Sequence, residues 1–211
     1  MVSEYAYLMR NPTQNGYALD QSQSFAPMRS EMIPGGDSGV SATISMMKNL
    51  IRSPQGIKSF RVRQFTLQAV RGVARGMTEV DAVFHTIKDN IEFRGEYGET
   101  LQSPEATINF GAGDCDDQAV LAATMLQSLG YDTRFKTIAT HDSPQELSHV
   151  YVEVMDKQTG VWTPLDPTVA ESYPGWEPDG IARSETYGTM APGGDSLGWL
   201  FGAAIVAALL L

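Results

Sequence analysis

The most constraining feature of this sequence is a helical segment followed directly by three short extended segments. Residues 115–129 carry a stripe of apolar side chains at helical spacing. The stripe consists of Ala119, Ala122, Leu126 and Leu129. Strands are predicted over residues 133–139, 148–155 and 161–165, because each alternates apolar and polar residues between turn-forming segments. A helix followed by a run of adjacent strands predicts an α+β fold, with this helix against an antiparallel sheet.

Three further helices are predicted before this segment. The first spans residues 41–52 and the second spans residues 61–75. The third begins at Thr78, where Thr-x-x-Asp resembles a capping box completed by Asp81. Residues 92–113 contain four glycines and a proline, so we expect loops and short extended segments there. The helices therefore form a cluster that precedes the sheet in the chain.

The ends of the chain differ in composition from the middle. Residues 1–40 are rich in Gln, Ser, Asn, Pro and Gly without a sustained period, which predicts an extended polar arm. We expect one domain over residues 41–184 and a linker over residues 185–196. Residues 197–211 contain no charged side chain and form an apolar C-terminal segment. No secretory signal is expected at the N-terminus, because a basic region followed by an apolar run is missing there.

The formal net charge of −10 argues against nucleic acid as a partner. Residues 1–75 hold nine Lys and Arg but four Asp and Glu, whereas residues 76–211 hold six and 21. The basic residues between Lys48 and Arg75 either pack near the acidic half or form a docking surface for an anionic partner.

Cys115 is the only cysteine, so the sequence excludes an intrachain disulfide and a zinc site built on several cysteines. It follows Gly113-Asp114 at the predicted start of a helix, where backbone N–H groups favour a thiolate. The alternative, a buried structural cysteine, is expected within an apolar stripe and not within Asp-Cys-Asp-Asp. Asp114 is a candidate helix cap, but it and its acidic neighbours raise the thiol pKa, which a nearby imidazole has to offset.

His149 and Asp166 are the candidate partners of this thiol. His149 lies on the strand face opposite Val150, Val152 and Val154, so it points away from the core if the valines point inward. A core histidine bonded to a backbone carbonyl is the alternative. Asp166 follows the next strand and can hold the imidazole by its other nitrogen, although Asp-Pro is also a common turn.

The hairpin between these two strands tests the assignment. Asp166 shares a face with His149 if the connecting loop contains an even number of residues. A four-residue loop over residues 156–159 pairs position 149 directly with 166, and Gly160 then occupies a bulge position.

Three segments together resemble the transglutaminase-like superfamily, which has a papain-type fold. They are Gly113-Asp114-Cys115-Asp116-Asp117-Gln118-Ala119-Val120-Leu121, Ser148-His149-Val150-Tyr151-Val152-Glu153-Val154 and Trp162-Thr163-Pro164-Leu165-Asp166-Pro167-Thr168. The resemblance covers about residues 60–180 and is closest to the compact versions of bacteria and tailed bacteriophages. It implies a catalytic triad of Cys115, His149 and Asp166.

The resemblance also implies a mechanism class, which is acyl transfer through a thioester on the cysteine. Hydrolysis of a peptide or amide bond is expected over cross-linking, and neither a cofactor nor a metal is expected. The backbone N–H of Cys115 is one candidate oxyanion donor and Gln102 is a second. Gln102, Tyr151 and Trp162 are candidate substrate-binding residues.

A structural role in a bacteriophage particle or another large assembly is the alternative function. The polar arm, the basic segment and the apolar tail favour it, and they predict contacts between copies of the chain. A membrane is a further candidate partner of residues 197–211. We therefore expect a cytoplasmic or virion-associated protein with membrane contact through its C-terminal segment.

Overall fold

A computed structural model describes residues 29–30, 37–95 and 100–189 of the 211-residue chain. Its helices are α1 (Asp37–Arg52), α2 (Phe60–Ala69), α3 (Met77–Asn90), α4 (Pro104–Phe110) and α5 (Cys115–Ser128). Its strands are β1 (Arg29–Ser30), β2 (Glu92–Phe93), β3 (Thr100–Leu101), β4 (Ala112–Gly113), β5 (Thr133–Thr140), β6 (His149–Met155), β7 (Trp162–Leu165) and β8 (Ile181–Gly188).

The main sheet has four strands in the order β7-β6-β5-β8, and each neighbouring pair is antiparallel. Two minor pairs accompany it: β1 is antiparallel to β3, and β2 is parallel to β4. The other helices pack against α5, and α5 packs on β6 and β5. This arrangement confirms the predicted α+β fold of a helix cluster on an antiparallel sheet.

Helix α5 is the centre of the molecule. Its residues 117–126 are all buried, because α1, α2, α3 and α4 contact it on one side and the sheet contacts it on the other. Leu121, Met125 and Leu126 are fully inaccessible to solvent. Each such side chain contributes about 1.5–3 kcal/mol of hydrophobic stabilisation, so the position of the first turn of α5 is strongly fixed.

Both faces of β6 are buried. Val150, Val152 and Val154 face the core as predicted. Tyr151 and Glu153, on the opposite face, are also buried. Their β5 partners in the register are Lys136 and Arg134, whose long side chains form ion pairs with Glu153 across this face. Charged side chains with apolar stems thus cover the second face of the sheet.

Several elements differ from the prediction. The predicted capping box at Thr78 is wrong, because α3 begins at Met77 after Gly76, which makes no side-chain cap bond. Helix α2 ends at Ala69 and not at 75. Helix α4 lies within the segment predicted as loop, and Ser103 caps it by accepting the N–H of Ala106. Strand β8 crosses the expected domain boundary at residue 184.

The β6–β7 hairpin has an even loop but a shifted register. Met155 pairs with Trp162, and the N–H of Asp156 donates to the carbonyl of Val161. The four-residue turn is therefore 157–160 and not 156–159, so the expected direct pairing of 149 with 166 is wrong. Gly160 closes this turn with φ 72°, a left-handed conformation that side chains with a Cβ disfavour. Because the shift in register is two residues, Asp166 keeps the face predicted for it.

The basic residues between Lys48 and Arg75 divide into two groups. Arg52 donates to the carbonyl of Thr189 and Arg75 pairs with Glu79, so these two do pack on the acidic half. The side chains of Lys58, Arg63 and Arg71 are exposed, and they form no ion pair within the described residues. A docking role for this second group stays a prediction.

Most of the two predicted ends lies outside the described residues. Of the arm, the structure describes β1 and the beginning of α1, and the apolar C-terminal segment is not described. Within residues 29–30, 37–95 and 100–189, none of the helices is long and apolar enough to cross a bilayer.

Candidate active site

Cys115 is the first residue of α5, as its sequence context predicted. Asp114 caps the helix, because its Oδ1 accepts the backbone N–H groups of Asp116 (3.1 Å) and Asp117 (3.2 Å). The loop before it is tightly packed: a Cβ placed on Gly113 would lie 2.7 Å from the Cβ of Asp117. Only glycine fits at this position, so the path of the backbone that leads to Cys115 is fixed.

The thiol of Cys115 is half-buried, and its polar neighbours shift its pKa in opposite directions. It donates a hydrogen bond to Oδ1 of Asp116 at 3.7 Å, whereas the backbone N–H of Val150 donates to the sulfur. Burial, followed by the charges of Asp116 and Asp114, raises the thiol pKa well above its usual value. The bond from Val150 lowers it by a smaller amount. The surroundings of the sulfur therefore favour the protonated thiol over the thiolate.

His149 is the first residue of β6 and lies beside this thiol in the fold, because its neighbour Val150 bonds to the sulfur. The Nε2 atom of its ring is 2.6 Å from Oδ2 of Asp166. The ring points away from the valine core, and its bond to a carboxylate replaces the backbone carbonyl that a core histidine would use. Nδ1 makes no hydrogen bond within the described residues, which leaves it available to a thiol or a substrate.

Asp166 is completely buried and fully bonded. Its Oδ2 faces the imidazole, while Oδ1 accepts the backbone N–H of Thr168 at 3.2 Å and the Thr168 hydroxyl. The carbonyl of Asp166 accepts the Ser172 hydroxyl, and Lys88 in turn donates to the carbonyl of Ser172 at 2.6 Å. These bonds fix the carboxylate, so the orientation of the His149 ring is fixed as well.

The register explains how the strands bring these groups together. Residue 166 aligns with Tyr151, two residues from His149 on the same face of the sheet. A diagonal pair of this kind lies within reach of a long side chain. Strand β7 ends at Leu165, opposite Val152, so the N–H of Val150 lies beyond the last bonded pair. The sulfur occupies the space that a longer β7 would fill.

The three predicted substrate-binding residues have different positions. Gln102 is buried behind the site, where its Nε2 is 3.4 Å from the carbonyl of Ala112. Tyr151 is also buried, its ring centre 6.0 Å from that of His149, and its hydroxyl bonds to Glu177. Burial and this carboxylate raise the pKa of Tyr151, so its hydroxyl is neutral. Gln102 and Tyr151 support the site from within and do not line an open groove.

Trp162 lies at the other end of the hairpin. It pairs with Met155, six positions along β6 from His149, which corresponds to about 20 Å. Its ring stacks under the guanidinium of Arg134 at 4.3 Å. The hairpin register thus takes Trp162 away from Cys115, and its contact with substrate stays a prediction.

Two polar residues of the site were missed in the sequence. Thr168 is the first, in the sequence Asp-Pro-Thr. An Asp side chain often accepts the backbone N–H two residues further on, and this pattern was the available signal. Asp117 is the second: it is fully buried, although it belongs to an acidic run that reads as exposed. Its position two residues after Cys115 on a helix, facing Gly113, was the available signal. Within the described residues, no group of His, Cys, Asp and Glu is arranged to hold a metal ion.

The family model of the transglutaminase-like superfamily matches residues 63–167. This range contains Cys115, His149 and Asp166 in the order and spacing described above. The domain belongs to the transglutaminase-like superfamily. The transglutaminase-like match begins within α2 and ends just after β7, so α1 and β8 are outside it. No curated protein matches the chain.

Two solved structures resemble the transglutaminase-like domain in fold. A candidate cysteine protease from Cytophaga hutchinsonii is 20% identical over 59% of this chain and 42% of its own length, with a TM-score of 0.44. A candidate protease from Parabacteroides distasonis is 11% identical over 71% of this chain and 36% of its own length, with a TM-score of 0.45. The chain thus spans less than half the length of either. At these identities and TM-scores, neither structure carries an argument about activity.

Proposed function

We propose that the chain is a thiol enzyme that transfers an acyl group through a thioester on Cys115, with hydrolysis of a peptide or amide bond as the outcome. The observation that supports this most is the short bond between His149 Nε2 and Asp166 Oδ2, at 2.6 Å, beside a thiol at a helix start. A buried carboxylate that orients an imidazole toward a cysteine is the arrangement that thiol acyl transfer requires.

In the first step, the Cys115 thiol gives its proton to Nδ1 of His149 while the sulfur attacks the carbonyl carbon of the substrate. A carbon–sulfur bond forms and the carbonyl oxygen becomes an oxyanion. The N–H of Cys115, at the first turn of α5, is the candidate donor to this oxygen. Because the surroundings of the sulfur favour the protonated thiol, we expect proton transfer to accompany the attack and not to precede it.

In the second step, the carbon–nitrogen bond breaks and the imidazolium gives its proton to the departing amine. This leaves a thioester on Cys115. Water then attacks the thioester, His149 takes a proton from it, and the carboxylic acid leaves as the thiol is restored. Asp166 stabilises the imidazolium in both steps without accepting the proton. Hydrolysis is preferred to cross-linking because compact members of this superfamily are often hydrolytic.

The test is to incubate the full chain with a peptide library and record acyl adducts by intact-mass spectrometry. We expect an adduct on Cys115 that hydroxylamine removes, since it cleaves thioesters, together with shortened or deamidated peptides. Cys115→Ala and His149→Ala are the matched variants and should produce neither. If the wild-type protein forms products no faster than Cys115→Ala, the proposal fails.

A second arm of the same experiment separates the two outcomes of acyl transfer. A fluorescent primary amine is added as a competing acceptor at increasing concentration. Hydrolysis predicts peptide acid as the main product even at high amine concentration, whereas a cross-linking enzyme incorporates the amine into the peptide.

The alternative function, a component of a bacteriophage particle or another assembly, is supported by the composition of the N-terminal arm and the C-terminal segment. It is compatible with an active thiol. Contacts between copies through these ends, and membrane contact of residues 197–211, remain proposals.

A further inference from the structure

Three buried polar side chains lie against the backbone that leads to Cys115. They are Gln102, Asp117 and Gln118, and each has one side-chain oxygen without a hydrogen-bond partner within the described residues. A buried polar atom without a partner is destabilising, so a cluster of three is costly for a domain of this size. We call these residues the buried polar cluster. Its cost indicates a role other than stability.

The cluster holds two chain segments against each other. Oδ1 of Asp117 accepts the backbone N–H of Gln102 at 2.7 Å, which joins the start of α5 to the segment after β3. The amides of Gln118 and Gln102 donate to the carbonyls of Gly113 (3.1 Å) and Ala112 (3.4 Å). Oδ2 of Asp117 would be 3.0 Å from a Cβ on Gly113. Asp117 therefore contacts both the segment after β3, at Gln102, and the backbone before Cys115, at Gly113.

The carboxyl of Asp117 lacks a neutralising cation. Its residue is fully buried, and within the described part of the chain it forms no ion pair. Burial, followed by the charges of Asp114 and Asp116, raises the pKa of Asp117 to about 7. The hydrogen bonds of Asp117 with Gln102 and Asp114 have the opposite effect and lower this pKa. A proton on Oδ2 would convert one unpaired acceptor into a donor. The amide oxygens of Gln102 and Gln118 also have no hydrogen-bond partner within the described residues, and both side chains bond to the same stretch of backbone.

We propose that Asp117 is a positioning residue that fixes residues 112–115 and Gln102 for acyl transfer, and that it does so with a proton on its buried carboxyl group. This inference rests on the proposed function of the same site. When the proton leaves, a charge appears in the cluster and the donor on Oδ2 is lost. The backbone before Cys115 then loosens, and the thiol becomes misplaced for attack.

The experiment measures the alkylation of the thiol and the turnover of substrate against pH. Because the chain has a single cysteine, iodoacetamide reports on Cys115 alone. Asp117→Asn keeps the acceptor for Gln102 and supplies a permanent donor, whereas Asp117→Ala removes both. Glu79→Gln is the matched control, since Glu79 is a buried carboxyl bonded to Tyr131 near the other end of α5.

For the wild-type protein and Glu79→Gln, the logarithm of the alkylation rate should change slope near pH 7. For Asp117→Asn it should rise smoothly with thiolate fraction through this range. Asp117→Ala should lower kcat by about tenfold with KM within about twofold, because the loss concerns geometry at the reacting atoms. Asp117→Asn should restore most of kcat.

Identical pH profiles for the wild-type protein and Asp117→Asn overturn the inference, as does a kcat of Asp117→Ala within about twofold of wild type. If Asp117→Ala does not fold, the comparison with Asp117→Asn still decides. If the wild-type protein has no hydrolytic activity at any pH, the proposed function fails, while the alkylation profiles continue to test the role of Asp117.

Discussion

At the scale of single residues, burial and the carboxylates of its own helix raise the pKa of the Cys115 thiol. Asp114 and Asp116 stabilise the first turn of α5, because carboxylates favour the positive end of a helix. The same charges oppose ionisation of the sulfur between them. An active thiol here depends on His149 as a base that acts when substrate is bound. We therefore expect Cys115 to alkylate no faster than a simple thiol at neutral pH.

Asp116→Asn should speed the alkylation of Cys115 at neutral pH. The substitution removes both a charge and a carboxylate acceptor that raise the thiol pKa. For each pKa unit lost we expect about threefold faster alkylation, since the thiolate fraction rises about tenfold while its nucleophilicity falls. Asp132→Asn, which makes the same charge change at the other end of α5, should leave the rate unchanged. An equal acceleration in both variants would mean that net charge alone is responsible.

Cys115→Ser should change the free energy of unfolding by less than about 1 kcal/mol. Cys115 is only partly buried, at the rim of the core, and a hydroxyl can keep the bonds that the sulfur makes with Asp116 and Val150. Leu121→Ala, in the buried middle of the same helix, should cost about 2–5 kcal/mol and provides the comparison. Urea denaturation measures both, and a loss of several kcal/mol in Cys115→Ser would indicate a structural cysteine.

The raised pKa of Asp117 also predicts how stability depends on pH. A carboxyl whose pKa is higher in the folded chain than in the unfolded chain binds its proton more tightly when folded. Its contribution is complete below about pH 4 and is lost as pH rises to about 7. From pH 5 to pH 8, the wild-type protein should lose about 2 kcal/mol relative to Asp117→Asn. Denaturation curves at both pH values test this, and parallel behaviour of the two proteins would contradict it.

At the scale of elements, the sequence predicted those whose pattern is local. The stripe of α5 and the alternation of β6 were sufficient to predict the two elements, whereas the burial of their remaining faces is set by neighbouring elements and was not predicted. Helix α4 was missed since its seven residues are too few for a period, although Ser103-Pro104 carries a helix-start pattern. The hairpin register was missed because a turn one position later satisfies the same local chemistry, and packing of the whole sheet decides between them.

In the candidate site, too, local patterns predicted some residues and missed those whose position depends on the packing of the whole domain. Cys115, His149 and Asp166 follow from a helix start, a strand face and a strand end. The position of Trp162 relative to Cys115 depends on the register, which local patterns did not predict. Asp117 was missed because burial of a carboxylate depends on Gln102, 15 residues away, which no local pattern reveals.

Two glycines in different elements should respond differently to alanine. Gly160→Ala should cost about 1 kcal/mol, since the turn requires a positive φ but leaves open space around a Cβ. Gly113→Ala should cost about 1–3 kcal/mol, because the Cβ would overlap Asp117. Alkylation of Cys115 should change only in Gly113→Ala. Equal alkylation in both variants would show that the backbone before the thiol is not tightly held.

At the scale of the whole molecule, basic side chains are concentrated before the sheet in the sequence, whereas the uncharged apolar segment comes after it. Lys58, Arg63 and Arg71 extend from the helix cluster together with exposed Phe60 and Leu67. The acidic half contains the sheet and the site. The apolar residues 197–211 follow the sheet in the sequence, and we expect a partner chain, a membrane or the domain itself to bury them.

Deletion of residues 196–211 should change how the protein associates. We expect the full chain to sediment as an oligomer or to bind liposomes, and the deletion variant to do neither, because the uncharged segment would span about 22 Å if it formed a helix. Analytical ultracentrifugation and liposome flotation measure the two properties. The thiol alkylation rate serves as the control for an intact domain. Identical behaviour of both proteins, as monomers that ignore liposomes, would contradict the prediction.

The carboxylates beside Cys115 have a further consequence for the lifetime of the protein under oxidative stress. Peroxide attacks thiolates far faster than thiols, and the first product, a sulfenic acid, is carried on to irreversible sulfinic and sulfonic acids. With no second cysteine in the chain, a sulfenic acid at Cys115 cannot be rescued by an internal disulfide. Favouring the protonated sulfur until substrate arrives restricts the damage to the short period in which the thiolate exists.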